Sequence, residues 1–293
     1  MKQVAMIFLM FLLAQLLGLY VGAMLITLSS VMPEISQLNV APGGESGDVS
    51  NSLFFLLYIL AGAAVILIVL KLYKGLILFK LMETMIILVA SFIVFFAVFI
   101  ALGVPNYEEL SLVFALGLAV MKFIFPRIRN ATAVIASAGV GAIFGFSLDI
   151  IPAILFVFGL CLYDFLSVFW TRHMITMARE LGKRELSFSV SASGKSYKAY
   201  RAPPSRLKTM PKEEKITTLE LGTGDMAVPL MLAVSAYKVG GLVSSFSVVI
   251  GSSLALAYVL YYVYKNRVFL PALPPLAFGG LLVLAVVKLV GLF

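Results

Sequence analysis

A chain of 293 residues that is 62% hydrophobic and only 12% charged lies outside soluble globular usage, in which about a quarter of residues are charged. Its net charge of +8 would suit nucleic acid in a soluble protein. Here the basic residues sit in connections beside apolar stretches, where they determine topology, so the expected partner is the lipid bilayer and not nucleic acid.

Apolar runs of about 20 residues match a hydrocarbon layer of ~30 Å at ~1.5 Å rise per helical residue. In chain order they are 4–28, 53–70, 76–102, 110–125, 131–148, 152–171, 219–237, 242–264 and 271–292. The first follows Lys2 and exceeds the 7 to 15 apolar residues of a signal core, so it is expected to stay attached. The fold class read from this pattern is an all-α membrane protein with nine transmembrane helices. A polar segment divides it into a six-helix part (1–171), a loop (172–217) and a three-helix part (218–293).

Orientation follows from the basic residues, which favour the cytoplasmic side. Lys2, Lys71 with Lys74, Arg127 with Arg129, the run from Arg172 to Lys215, and Lys265 with Arg267 occupy alternate ends. The opposite connections carry Glu34, Glu45, Asp48, Glu108, Glu109 and Asp149, with Lys238 as the exception. The N-terminus is therefore expected to be cytoplasmic and the C-terminus extracytoplasmic, with the 172–217 loop a solvated linker on the cytoplasmic side.

An acid deep in a membrane span costs ~2.5 to 3.5 kcal/mol on insertion scales, so Asp164 and Asp225 need a reason. Asp164 lies seven residues before Thr171, and Asp225 seven after Thr218, which puts both ~10 Å below the inner surface. Two carboxyls at one depth on antiparallel neighbours can share a proton, the working state of aspartic proteases. The ionised member would take a proton from the attacking water while the protonated one bonds to the peptide oxygen. Such chemistry needs no metal and no cofactor. One histidine, His173, and one cysteine, Cys161, offer no ligand set and no internal disulfide.

Around these acids the local sequence is unusual. Leu221-Gly222-Thr223-Gly224-Asp225 puts two glycines before the second acid, where they weaken the helix and admit a substrate backbone. Leu270-Pro271-Ala272-Leu273-Pro274-Pro275 predicts a rigid, irregular entry to the last helix at the same level. The remaining polar residues read as structural. Lys80 and Glu83 are spaced to pair on one helix face, Lys122 and Lys288 read as snorkelling anchors, and Gly141 with Gly145 form a packing seam. Glu220 sits at the mouth of the seventh helix, and Tyr163 points ~100° away from Asp164.

Three motifs in order, Tyr163-Asp164, Gly222-Thr223-Gly224-Asp225 and Pro271-Ala272-Leu273, resemble the GxGD-type intramembrane aspartyl proteases, the presenilins and signal peptide peptidases. The inferred orientation and the proline motif look more like presenilin, and the short chain with compact loops looks like an archaeal presenilin homologue in a prokaryotic cell membrane. The resemblance implies that Asp164 and Asp225 are the catalytic pair. It also implies that Leu221, Gly222, Thr223, Gly224, Tyr163, Pro271, Ala272 and Leu273 contact substrate, a single-span membrane protein, and that 216–221 pairs as a strand with the unwound substrate. Whether the loop is autocleaved and whether the chain forms a homo-oligomer are left open. The competing class is a proton- or cation-coupled transporter or channel using the same two acids. The absence of evident paired halves stands against it.

Overall fold

The computed structural model describes residues 2–41, 46–72, 77–169, 189–196, 215–266 and 271–291. Over them the chain is mostly helical: α1 (Lys2–Ser29), the short α2 (Pro33–Ser36), α3 (Ser50–Leu72), α4 (Ile77–Ala101), α5 (Tyr107–Ile124), α6 (Arg129–Ser147), α7 (Ile150–Phe169), α8 (Thr223–Asn266) and α9 (Leu273–Leu289). Among the described residues, α1, α4, α6 and α8 are long and apolar enough to cross a membrane, and shorter apolar helices lie at 50–65, 150–166 and 273–289.

Each apolar run read from the sequence overlaps a helical segment among the described residues, although the seventh begins four residues early, in what is a strand. The seventh and eighth runs are the two arms of α8. They are separated at Gly240 (φ −132°, ψ 20°) and Gly241 (φ 61°, ψ −143°), the latter in a region that favours glycine. The hydroxyl of Ser244 donates to the Ala236 carbonyl at 2.6 Å. On a straight helix residues eight apart are separated by ~12 Å, so the break is a sharp bend.

The all-α expectation needs one correction. Strands β1 (Ser189–Ser196) and β2 (Lys215–Gly222) form a two-stranded antiparallel sheet, with Ser189 opposite Gly222 and Ser196 opposite Lys215. Both strands lie in or beside the polar segment expected to be a solvated linker. Other residues of that segment, His173 included, lie outside the described residues.

The centre of the bundle is α1, α6 and the first arm of α8, stitched by small residues. Leu230 packs where Gly18 of α1 and Gly141 of α6 lack side chains, and Val234 does the same between Gly22 and Gly145. A Cβ on Gly141 would come to 2.6 Å from Leu230 Cδ2, and one on Gly145 to 2.7 Å from the Met231 carbonyl oxygen. Lipid offers no hydrophobic drive between helices, so such close contact is what holds them. The expected Gly141/Gly145 seam is thus present, and α8 fills it. Further along, Gly251 meets Gly279 and Gly280, joining the second arm of α8 to α9.

One end of the bundle is tied by its connections. Val40 N–H donates to Ser147 Oγ (2.9 Å), Asp149 N–H to the Ser46 carbonyl (3.0 Å), and Lys238 Nζ pairs with Asp149 at 2.9 Å. The basic exception to the charge pattern is therefore neutralised by the acid of a neighbouring connection. Two readings of membrane lysines change. Glu83 pairs with Lys122 of α5, and both side chains are buried, whereas Lys80 is exposed. Lys122 is an interhelical ion-pair partner and not a snorkelling anchor, because its neighbour on α4 supplies the counter-charge that the lipid cannot.

Candidate active site

The hairpin sits at the other end, against the start of α6. Arg129 Nη2 donates to Ser191 Oγ at 2.7 Å, and Asn130 takes both backbone groups of Ser191, donating to its carbonyl (2.9 Å) and accepting from its N–H (3.2 Å). The Asn130 amide thus behaves as a one-residue neighbouring strand. Because Ser191 turns its backbone groups toward α6, the alternation of an antiparallel ladder assigns the inter-strand bonds to Val190–Leu221 and Ala192–Leu219. On β2, Thr218 and Glu220 then direct their backbone groups to the opposite edge. Among the described residues no further strand covers that edge. Glu220, expected at a helix mouth, is an exposed residue of this strand.

Apolar side chains fasten the hairpin. Val190, Leu219 and Leu221 are buried with Ile7 and Phe11 of α1, Met226 of α8 and Leu276 of α9. The strand ends at Gly222 and α8 begins at Thr223, four residues later than the start read from hydropathy. Asp225 consequently lies in the first turn of α8. The Gly222 N–H is within hydrogen-bonding range of the Asp225 carboxyl, and a Cβ on Gly222 would lie 3.1 Å from Asp225 Oδ2. Glycine at this position leaves the carboxyl uncrowded. Thr223 and Asp225 are partly buried and Gly224 is exposed.

Asp164, on α7, is 6% exposed, and its charge reaches Asp225. The backbone N–H of Leu273 is within hydrogen-bonding range of the Asp164 carboxyl. That N–H exists to be shared because the first helical N–H groups have no intrahelical acceptor. Pro274 and Pro275 follow in the first turn of α9, and Pro271 and Leu273 are buried while Ala272 is partly so. Three segments distant in sequence therefore converge: α7 with Asp164 and the partly buried Tyr163, the strand-to-helix junction with Asp225, and the start of α9. No group of acids, histidines and cysteines that could hold a metal is found among the described residues.

Residues that sequence reasoning passed over also belong to this neighbourhood. Asn130 and Arg129 carry the hairpin, and Gln15 of α1, wholly buried, donates from Nε2 to the Met226 carbonyl at 2.8 Å. Gln15 had a signal, being a lone amide inside a long apolar run.

Residues 7–290 match the family described as "Signal-peptide peptidase, presenilin aspartyl protease". A presenilin family intramembrane aspartate protease of known structure has a TM-score of 0.67 and 24% identity, covering 98% of this chain and 99% of its own. The same description applies to a second structure in another crystal form, with a TM-score of 0.60 and 26% identity over 94% of this chain and 96% of its own. No curated protein sequence gives a significant match. The chain belongs to the signal-peptide peptidase and presenilin aspartyl protease family. It is an intramembrane aspartyl protease, a peptide hydrolase, and nothing in these likenesses favours the transporter alternative.

Proposed function

We propose that Asp164 and Asp225 are the catalytic pair, cutting single-span membrane proteins within the bilayer. The carrying observation is that Asp164 and Asp225 come to one junction, the charge of the first reaching the second, while each has a backbone N–H in hydrogen-bonding range, from Leu273 and Gly222 respectively. Neighbouring carboxyls resist double ionisation. One deprotonates water as its oxygen attacks the peptide carbon, and the other donates to the carbonyl oxygen, giving a tetrahedral diol intermediate. Proton return to the amide nitrogen then breaks the C–N bond.

Substrate is bound by the edge of β2 that no described strand covers and by the turn after it, Leu221, Gly222, Thr223 and Gly224, with Pro271, Ala272, Leu273 and Tyr163 opposite. A helical substrate hides its amides in its own hydrogen bonds. Addition to a strand edge supplies replacement partners for the unwound segment, which the outward backbone groups of Thr218 and Glu220 support. All nine apolar segments span the membrane, with the N-terminus and this site toward the cytoplasm and the C-terminus outside, in the cell membrane of a prokaryote, most like an archaeon. The chain then divides into a six-helix part, a cytoplasmic segment and a three-helix part, with β2 linking the last two.

The test is cleavage of a single-helix substrate by purified protein in detergent, with Asp164→Ala and Asp225→Ala measured beside the wild type. Cleavage that survives either change removes that residue from the mechanism.

A further inference from the structure

The first turn of α8 is short of hydrogen bonds at the residue that matters most. Pro229 lies inside α8, and a proline brings no N–H to the carbonyl four residues earlier, which here belongs to Asp225. Ahead of Asp225 the chain is strand up to Gly222, so no preceding helical turn supports it. A helix start built this way needs an external restraint to hold a side chain in one place.

Gln15 is placed to provide it. Its Nε2 donates to the carbonyl of Met226, the residue after Asp225, at 2.8 Å, and the side chain is 0% exposed. Its Oε1 meets no donor among the described residues. An amide that merely glued helices together would be expected to use both ends of its dipole, since a buried acceptor left unpaired is unfavourable. The bond is therefore one-sided and directed at the turn that bears Asp225. The neighbouring contacts of α1 do the gluing without it, through Gly18 against Leu230 and Gly22 against Val234.

We infer that Gln15 is a positioning residue for the protease, fixing Asp225 toward Asp164 by holding the Met226 carbonyl. This rests on the reading of Asp225 as catalytic. Gln15→Met keeps the length and volume of the side chain and removes the donor. Displacement of a catalytic group by ~1 Å can cost up to about 100-fold. The expected result is a kcat reduced about 10- to 100-fold, with KM within about twofold of wild type and weaker binding of a hydroxyl-containing peptide isostere per competent site.

The decisive measurement is that isostere's Kd together with its binding stoichiometry in purified protein. A positioning role weakens Kd at unchanged stoichiometry, whereas a purely structural role lowers stoichiometry and leaves Kd alone, which would overturn the inference. Wild-type kcat in Gln15→Met, with Asp225→Ala inactive in the same assay, would also overturn it while leaving the catalytic pair intact. Activity in Asp225→Ala would instead bring down the reading on which it rests.

Discussion

The two helices that carry the acids are supported very differently. The first arm of α8 is enclosed, with Met226, Leu230, Met231, Leu232, Ala233, Val234 and Ala236 all buried. Its large side chains lock into glycines of α1 and α6 on two sides. By contrast α7 touches α3, α8 and α9 but turns Ile151, Leu155, Phe158, Leu162 and Phe165 outward, Phe158 to 70% exposure. Its glycine, Gly159, has the flexible end of Leu56 on α3 as its nearest neighbour. Asp225 is thus built into a closely packed part of the bundle, and Asp164 onto a helix whose outer face is exposed. The lesson concerns adaptability: adjustment between the two carboxyls falls more cheaply on the Asp164 side.

The largest effect tests the comparison at its root. Asp164→Ala and Asp225→Ala should each reduce cleavage by at least about 100-fold, read by product formation from a single-helix substrate. Unequal losses would show that the acids differ in chemistry as well as in support. Next comes the hairpin, which belongs to the Asp225 side. Thr218→Pro removes an N–H from the edge of β2 that faces away from β1 and spares the ladder to β1, so cleavage should fall about tenfold. Leu219→Pro removes a ladder bond instead and should also disturb the hairpin, visible as faster backbone amide exchange. Wild-type cleavage in Thr218→Pro would argue against substrate pairing at that edge.

A direct comparison of the two supports comes from their glycines. Gly145→Ala places a Cβ 2.5 Å from Val234 Cβ and 2.7 Å from the Met231 carbonyl oxygen, and overpacking of this kind costs about 1 to 3 kcal/mol. Gly159→Ala meets Leu56 Cδ2 at 3.0 Å, an atom that can move aside, and alanine favours helix by about 1 kcal/mol. Thermal unfolding in detergent should show a loss for the first and little or no loss for the second. Equal losses would erase the distinction between the arms. The smallest effect is expected from Asn130→Ala, which releases the outer edge of β1 and should lower cleavage only a few-fold, at a net ~1 kcal/mol for each lost bond.

Legibility followed the range of the forces involved. The apolar helical segments could be read because a helix bonds its backbone groups within itself and needs only length and hydropathy to announce it. Even the break at Gly240-Gly241 was visible as a gap between two runs. Strand β1 was not, since Ser-Val-Ser-Ala-Ser-Gly-Lys-Ser has little apolar alternation and depends on β2 and on Asn130 for its existence. The start of α8 was misplaced for the same reason, as Leu219 and Leu221 are apolar enough for a helix but are buried from a strand. Lys122 looked like an interfacial anchor because spacing along one helix cannot reveal that Glu83 of another faces it.

By itself the sequence determined where the apolar segments lie, the alternation of charge between their ends, and the three short motifs at the candidate site. These are local properties, set by composition over a turn or a span. The tertiary structure alone decided which surfaces meet: Leu230 and Val234 against paired glycines, the Leu273 N–H beside Asp164, Gln15 under the turn of Asp225. Such contacts join residues far apart in the chain, and helix rotation and packing select them only once the whole bundle has closed.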